Sequence, residues 1–508
     1  MTSSAVLRLL TRGNASKLFL AYVLYIVFKY RRSVYGIRPR PEIKGPRGLP
    51  LIGNTLEMIA VPQTRILEEH ERLRALYGRV YTYAMPKVGR IIYLHDPEII
   101  DHVLRTNFWA YGKGQRAKEV AMPLTGNGIF TADGDHWKWQ RKLASNIFSV
   151  KAFRQYTSDV FCREGDLAIE YLNKIADTGK PVDIQQLFYC YTLDSFGEIA
   201  FGVSFGSMKD PEQEVDFAAA FDRLTHGVAG RVYSPIWWLT DWWTGNGKQV
   251  EKDSKLVRDF ALRVIQERRN KEHAPAQEKD LLQLFMDLTD DDGQPLSDDM
   301  LIDSVLNFII AGRDTTAQSL AWMFYLMHRN GSNPEFVQGL IKETDEILKG
   351  GYPTYESTKQ QKYAEACFHE TSRLYPSVPR STRICFEDDV LPGGIKIYKG
   401  ERIGWSTWVM GRDTTIWGPD AKEFNPNRWL NNDKPSSSKF LSFHHGPRTC
   451  LGQQYATIEA ITITSMLFQK FTFELVDPNV KPTYYPSPTL PIAGGLSVLV
   501  KRRTDIAV

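Results

Sequence analysis

The chain has 508 residues, of which 43% are hydrophobic and 24% are charged, which is an ordinary globular composition. Its net charge of +4 is small for this length, and no basic block with interleaved aromatic residues lies beyond the N-terminal region, so the composition argues against nucleic-acid binding. The five cysteines are odd in number and show no Cys-x-x-Cys spacing. This pattern argues against a disulfide framework, a zinc site or an iron–sulfur cluster, and it favours a reducing, cytosol-facing location.

An apolar and aromatic run, residues 18–28, lies near the N-terminus. It is shorter than the roughly 20 residues that a straight membrane span needs. Basic residues follow it at once, without a small-residue cleavage site. The run is compatible with a cleaved signal, an interfacial helix or a short anchor. The positive charge on its C-terminal side favours a membrane anchor over residues 1–32, with the rest of the chain cytoplasmic.

Residues 33–54 are rich in proline, glycine and basic residues, which predicts a stiff linker between the anchor and the folded body. Beyond it, two β-rich stretches within residues 79–94 predict a hairpin. Helical periodicity then dominates, and short strands are predicted again within residues 383–403 and 489–501. Residues 55–508 are therefore predicted to form one mainly α domain with small β-sheets, an α+β fold.

The longest predicted helix runs from Asp299 to about Asn330 and contains Ala311-Gly-Arg-Asp-Thr-Thr316. A glycine followed by an acid and two hydroxyl residues is a poor helix interior, because these residues are flexible or compete for backbone hydrogen bonds. Such local rule-breaking is typical of a functional site, which makes Asp314 and Thr315 candidates. The alternative is a kink that serves packing alone.

Three further patterns place charged or aromatic residues at interacting distances. Glu370 and Arg373 are three residues apart on a predicted helix, a spacing that is also common in plain surface ion pairs. Trp137 and Arg141 are four apart and so share a helix face. Phe424-Asn-Pro-Asn-Arg428 follows later in the chain.

The segment Phe443-His-His-Gly-Pro-Arg-Thr-Cys-Leu-Gly452 places Cys450 directly before a helix predicted over residues 453–470. A helix N-terminus presents unpaired N–H groups and partial positive charge, which predicts a thiolate able to bind a metal. Gly446 and Gly452 allow the backbone to pass close to a flat, bulky group, and Arg448 adds a cation for a carboxylate. A haem with one thiolate ligand remains, against the alternative of a buried, unreactive cysteine.

This segment resembles the haem-binding loop of the cytochromes P450, Phe-x-x-Gly-x-Arg-x-Cys-x-Gly. The resemblance implies a cytochrome P450 fold with a long central helix over the cofactor, haem b, whose iron takes Cys450 as its axial ligand. It also implies that Phe443, Gly446 and Gly452 shape the loop around the haem. The expected partners of the two propionates are Trp137, Arg141, Arg383 and Arg448. His444 and His445 occupy positions that vary in the family, so a ligand role is not expected for them.

The other motifs also match the family and acquire roles from it. Thr315 is expected to hydrogen-bond dioxygen, and Asp314 to relay protons from solvent. Glu370, Arg373 and Arg428 are expected to form a buried ionic lock behind the cysteine loop. The implied activity is insertion of one oxygen atom of O2 into a C–H bond of a small hydrophobic substrate, with electrons from a separate NADPH-cytochrome P450 reductase. The expected location is the endoplasmic reticulum membrane, with the catalytic domain in the cytoplasm.

The resemblance also extends to the substrate. Residues 311–317, 235–238 and 487–496 together look similar to fungal and plant fatty-acid and alkane terminal hydroxylases. A xenobiotic or steroid hydroxylase is the alternative, because likeness at this level does not fix a substrate. A haem-thiolate isomerase or peroxygenase often lacks the acid-alcohol pair present here, and a haem sensor without enzymatic activity is the remaining possibility.

Overall fold

The computed structural model describes residues 12–29, 34, 36–147, 151–213, 215–234, 236–270, 281–289, 293–431 and 434–504. Its helices are α1 (Arg12–Lys29), α2 (Thr55–Ala60), α3 (Ile66–Tyr77), α4 (Pro97–Asp101), α5 (Gln115–Thr125), α6 (Gly134–Ile147), α7 (Lys151–Ile175), α8 (Ile184–Phe201), α9 (Asp216–Tyr233), α10 (Trp237–Thr244), α11 (Asn246–Asn270), α12 (Leu281–Met286), α13 (Asp298–Ile309), α14 (Thr315–His328), α15 (Glu335–Leu348), α16 (Tyr355–Gln360), α17 (Lys362–Leu374), α18 (Thr407–Gly411), α19 (Thr414–Trp417) and α20 (Gln453–Lys470). Its strands are β1 (Val80–Met85), β2 (Gly89–Leu94), β3 (Tyr111–Gly112), β4 (Val182–Asp183), β5 (Arg380–Cys385), β6 (Asp389–Val390), β7 (Lys396–Ile397), β8 (Arg402–Ser406), β9 (Phe471–Leu475) and β10 (Ser497–Arg502).

The mainly helical architecture with small sheets predicted from the sequence is confirmed. The largest sheet has the strand order β1-β2-β8-β5-β3, and a second joins β4, β10 and β9. The predicted hairpin is β1 and β2, paired antiparallel from Val80 opposite Leu94 to Met85 opposite Gly89. In the tail the strand itself begins only at Ser497, later than the predicted residue 489.

The predicted long helix is present as α13 and α14, which are joined by a single π-helical turn at Ile310–Asp314. Ser297 caps its start by accepting a hydrogen bond from the backbone N–H of Met300. Helix α8 packs directly on the π turn, where a Cβ on Gly312 would lie 2.1 Å from the ring of Phe196. Only glycine permits this approach, so the glycine that lowers helix propensity is required by the packing.

The ionic lock forms as the motifs implied. Glu370 accepts hydrogen bonds from Arg373 at 2.8 and 2.7 Å and from Arg428 at 3.0 Å. The side chains of Glu370 and Arg373 are 0% exposed. The indole N–H of Trp429 and the backbone N–H of Asn425 complete the shell of donors around the carboxylate. Helix α17 is thereby tied to the segment that leads into the cysteine loop, and Ser442 in that segment donates to the carbonyl of Ser372 at 2.6 Å.

The segment that precedes α2 packs against the large sheet. The carbonyl of Lys44 accepts a hydrogen bond from the backbone of Thr82 in β1, and a Cβ on Gly45 would lie 1.9 Å from the Thr82 carbonyl oxygen. Arg40 is buried and pairs with Glu401. Much of the predicted linker therefore lies against the sheet. Across the described residues, which include 12–29 of the predicted anchor, no helix combines the length and apolarity needed to cross a membrane.

We expect Glu370→Gln to lower the free energy of unfolding by about 3–5 kcal/mol, because the change keeps the shape but leaves the buried guanidinium of Arg373 without its acid partner. Urea unfolding followed by circular dichroism measures the effect. The matched control is Glu69→Gln on α3, whose carboxylate pairs with the half-exposed Arg72 at the same three-residue spacing. An exposed pair of this kind contributes less than about 1 kcal/mol. Equal losses in the two variants would contradict a buried lock.

Candidate active site

The loop before α20 is held in a tight turn. The backbone N–H of Cys450 donates to the carbonyl of Phe443 at 2.8 Å, and His444 and Gly446 take left-handed backbone angles (φ +65° and +70°). A Cβ on Gly446 would lie 1.9 Å from the carbonyl oxygen of Leu104. The backbone of a neighbouring segment therefore leaves no room for a side chain at this position.

Cys450 borders an internal space. Burial raises the pKa of its thiol, while the backbone N–H of Gly452 and the charge of Arg141 lower it. Yet Cys450 is an exposed residue. A sulfur enclosed by protein but still accessible must face a space inside the protein. A Cβ on Gly452 would meet only this sulfur, at 4.0 Å, so the space extends past Gly452. The lowered pKa expected at a helix start is not found, because burial outweighs the helix terminus.

Three cations cluster deep in the protein beside the loop. Burial lowers the pKa of Arg383 to about 9 and that of Arg448 to about 10. The pKa of Lys113 is lowered far below its ordinary value by burial and by the charges of these two arginines. Asp133 is the carboxylate that opposes all three. The cluster carries more positive than negative charge, and an anionic group in the space would relieve it.

Arg448 has capacity for a further acceptor. It donates to the carbonyl of Ala132 at 2.8 Å and to Asp133 at 3.1 Å, while its buried Nε has no partner. An unpartnered buried donor is costly unless a ligand accepts its hydrogen bond. Together with the charge surplus, this atom fits a carboxylate of the expected haem.

Helix α6 contributes the two residues that the spacing predicted on one face. The guanidinium of Arg448 lies over the ring of the buried Trp137 at 4.5 Å. Arg141, one turn later, is near enough to Cys450 for each charge to affect the other's pKa. Arg141 forms no ion pair with any described residue. It is therefore also available to an anionic ligand.

His444 is held in the loop as a neutral side chain. Arg383 donates to its Nε2 at 3.0 Å, so that nitrogen carries no proton. Its Nδ1 lies 2.8 Å from both the carbonyl oxygen and the backbone nitrogen of His445. His445 in turn pairs with Asp101 at 2.8 Å. Both histidines are committed to protein partners.

The central helix also borders an internal space. From Val305 to Met327, every residue is buried except Ala311 and Thr315. These two are four residues apart and so share one helix face. The Thr315 hydroxyl donates to the Ala311 carbonyl at 2.7 Å, within the π turn. This face presents a hydroxyl and a small side chain to the space.

Asp314 points away from that face, into a buried ion-pair chain. Arg313 donates to Asp314 at 2.9 Å and to Asp222 of α9 at 3.0 Å. The side chain of Asp222 is 37% exposed, so these ion pairs lead from solvent to the central helix. Burial raises the pKa of Asp314 to about 7, since it outweighs the attraction of Arg313 and the charge of Asp222 acts in the same direction as burial. An acid with this pKa can hold or release a proton near neutral pH.

Sequence reasoning missed Lys113, Asp133, Arg313 and Asp222. Lys113 and Asp133 stand in polar segments that carry no motif, and folding alone brings them to the cysteine loop. Arg313 lies inside the recognised motif, but its role depends on Asp222, which is 91 residues away. No spacing rule connects residues at such separations.

Comparison with known proteins gives consistent matches. A family model described as Cytochrome P450 matches residues 43–496. The chain is 35% identical over 473 residues to "Cytochrome P450 monooxygenase cyp1" of Mycosarcoma maydis, an alignment that covers 89% of this chain and 73% of that protein. It is 33% identical over 505 residues to "Cytochrome P450 704B1" of Arabidopsis thaliana, with 91% and 95% covered. It is 28% identical over 480 residues to "Cytochrome P450 94A2" of Vicia sativa, with 91% and 92% covered.

The raised pKa of Asp314 predicts a specific pH dependence of stability. Between about pH 4 and 7 the folded protein keeps a proton on this carboxyl that the unfolded chain releases, so its contribution to the free energy of unfolding falls as pH rises. Asp314→Asn removes that fall. The unfolding free energy of the variant, relative to the wild type, should therefore increase steadily from pH 4.5 to pH 7.5 in urea titrations.

The control for this measurement is Asp299→Asn, on the same helix, whose side chain is 87% exposed. It should leave the pH dependence unchanged. A constant difference between Asp314→Asn and the wild type across the range would contradict a protonated Asp314 in the folded protein.

Proposed function

Because this chain belongs to the cytochrome P450 family of haem-dependent monooxygenases, we propose that it hydroxylates a fatty acid or alkane at a terminal or near-terminal carbon. The substrate is suggested by residues 311–317, 235–238 and 487–496, which look similar to fungal and plant fatty-acid and alkane hydroxylases. The kinship with fungal and plant cytochromes P450 accords with it. The observation that carries the proposal is Cys450, facing an internal space that is lined by surplus positive charge.

The residues around this space fit haem b. Cys450 would ligate the iron, since it is an accessible sulfur enclosed by protein. The propionates would be held by Arg383 and Arg448, with Trp137, Arg141 and Lys113 beside them. Phe443, Gly446 and Gly452 would fix the course of the loop. When bound, haem supplies dioxygen activation, and a thiolate ligand donates electron density that favours O–O cleavage.

The chain's own contribution is to hold the substrate, exclude water and supply protons. Thr315 presents its hydroxyl on the accessible face of the central helix. Asp314, with a pKa of about 7, can give up a proton and recover it through the chain that reaches solvent at Asp222. Arg313 holds both carboxylates in place. In this arrangement Thr315 positions protons at the site and Asp314 stores them.

Electrons would come from NADPH-cytochrome P450 reductase. Lys138 and Lys142 on α6 and Lys439 before the cysteine loop are exposed. They offer positive charge to an acidic partner surface, which would speed association. We further propose that residues 55–508 form the catalytic domain, that residues 1–32 form an anchor and residues 33–54 a linker, and that the domain faces the cytoplasm at the endoplasmic reticulum membrane.

The test of the cofactor site is the absorption spectrum of the reduced, carbon-monoxide-bound holoprotein. The wild type should show the band of a thiolate-ligated haem, and Cys450→His should abolish it while haem still binds, because imidazole replaces the thiolate as ligand. Cys162→Ser is the control, since a serine hydroxyl can keep the hydrogen bond that Cys162 donates to the Pro353 carbonyl. A thiolate band that survives in Cys450→His would overturn the assignment.

The proton-supply role of Thr315 is tested by reconstituting the holoprotein with reductase, NADPH and dodecanoic acid. The wild type should release a product hydroxylated at or near the terminal carbon. In Thr315→Ala, NADPH consumption should continue while the amount of product per NADPH falls about tenfold. Loss of a positioned proton donor lowers a rate roughly hundredfold or more. The smaller effect is expected here because a water molecule can replace the hydroxyl.

Thr457→Ala is the matched control, because its hydroxyl makes the same four-residue back-bond to a helix carbonyl, on α20. It should keep product and NADPH consumption coupled. Unchanged coupling in Thr315→Ala would remove this residue from proton supply. Absence of any hydroxylated fatty acid from the wild type would refute the substrate class.

A further inference from the structure

Two arginines outside the cation cluster beside the cysteine loop share a part-buried site without an acid partner. Arg116 lies in the first turn of α5, and Arg402 begins β8. Both are only partly exposed. Within the described residues, neither forms an ion pair. Glu119, the acid that acts on Arg116, is exposed and accepts from Gln115 instead.

The two guanidinium groups converge at one place in the fold. In the sheet, Arg402 is opposite Ile384, whose side chain lies against Gly114, two residues before Arg116. Arg116 donates to the carbonyl of Ser234, between α9 and α10, at 2.8 Å. Arg402 donates to the carbonyl of Val88, in the turn between β1 and β2, at 3.2 Å.

The same two segments meet beside an exposed aromatic side chain. Lys87, next to Val88, lies 3.9 Å from the ring centre of Trp238 on α10. Trp238 is 44% exposed. The arginine pair therefore lies where an apolar surface, a sheet turn and a helix turn come together at the protein's exterior. Such a border suits a ligand with one charged end and one apolar end.

The charges at this place are not balanced. Burial lowers the pKa of both arginines, and the charge of Arg116 lowers that of Arg402 further. Two like charges in a desolvated position are unfavourable unless an anion joins them. Arginine binds carboxylate through two parallel hydrogen bonds, a geometry that a single point charge cannot offer.

We propose that Arg116 and Arg402 bind the carboxylate of a long-chain fatty acid substrate, so that its apolar chain runs inward along β5 toward Thr315. This proposal rests on the proposed function and adds the residues that select an acid over an alkane. Near the inner end of this path, Ser377 donates to the carbonyl of Thr315 at 2.9 Å. At the outer end of β5, Ile384 is the residue opposite Arg402.

The length of this path limits the substrate. The four steps from Arg380 to Ile384 in β5 span roughly 13 Å. A fully extended chain from Ser377 to Ile384 would span at most about 23 Å, so the substrate path lies between these two lengths. With carbon–carbon bonds of about 1.5 Å, an extended alkyl chain advances about 1.3 Å per carbon. The separation therefore suits acids of about 10 to 18 carbons.

The test is a binding titration of the full-length holoprotein with hexadecanoic acid, its methyl ester and hexadecyl phosphate, followed by calorimetry and by the haem absorption shift. Arg116→Gln and Arg402→Gln should each weaken acid binding about tenfold, the equivalent of one charge-assisted hydrogen bond. Ester binding should not change. Glutamine can still donate to the carbonyls of Ser234 and Val88, and Arg402→Lys should keep part of the affinity because it keeps the charge.

Lys118→Gln is the matched control, since it removes the same charge from α5 about 200° around the helix. It should bind the acid like the wild type. Acid binding that is equally tight in wild type, Arg116→Gln and Arg402→Gln would overturn the arginine site but leave the proposed function standing. A wild type that binds neither acid nor ester refutes the proposed function itself. Phosphate binding that exceeds acid binding and is lost in both variants would overturn the assignment to a carboxylate.

Discussion

The buried carboxylate of Glu370 is the interaction on which the site depends. It accepts hydrogen bonds from Arg373 on its own helix and from Arg428, Trp429 and the backbone of Asn425 in the segment before the cysteine loop. A carboxylate removed from water needs all of these donors, so the two segments cannot separate without stranding charges. This constraint fixes where the loop begins, and with it the direction in which Cys450 presents its sulfur.

Positive charge exceeds negative charge at two places in the protein, the proposed cofactor site and the proposed carboxylate site. Lys113, Arg383 and Arg448 gather beside the cysteine loop with Asp133 as their shared opposing acid. Arg116 and Arg402 gather near the surface without an ion pair among the described residues. In both places the folded chain holds charges that a bound anion would neutralise. These charges lower the stability of the protein without ligand and raise its affinity for an anion.

Sequence patterns predicted the elements whose signals are local. Helix α20 has the bounds expected from its periodicity, and the central helix and the β1–β2 hairpin are found where they were predicted. Other features depend on neighbours that are distant in the chain. The carbonyl of Leu104 excludes a side chain at Gly446, burial raises the pKa of Cys450, and the segment around Gly45 lies on the sheet.

By itself, the sequence determined the family and the reaction class. The motifs around Cys450 and Asp314 are short runs of nearby residues, so they can be recognised without knowing how the rest of the chain folds. Tertiary structure decided the charge balance. Folding raised the pKa of Asp314 to about 7 by burying it near Asp222, and it brought Arg116 to Arg402, 286 residues further along the chain. The energy of a charge depends on its burial and on its neighbours in space, and neither property is written in the order of the residues.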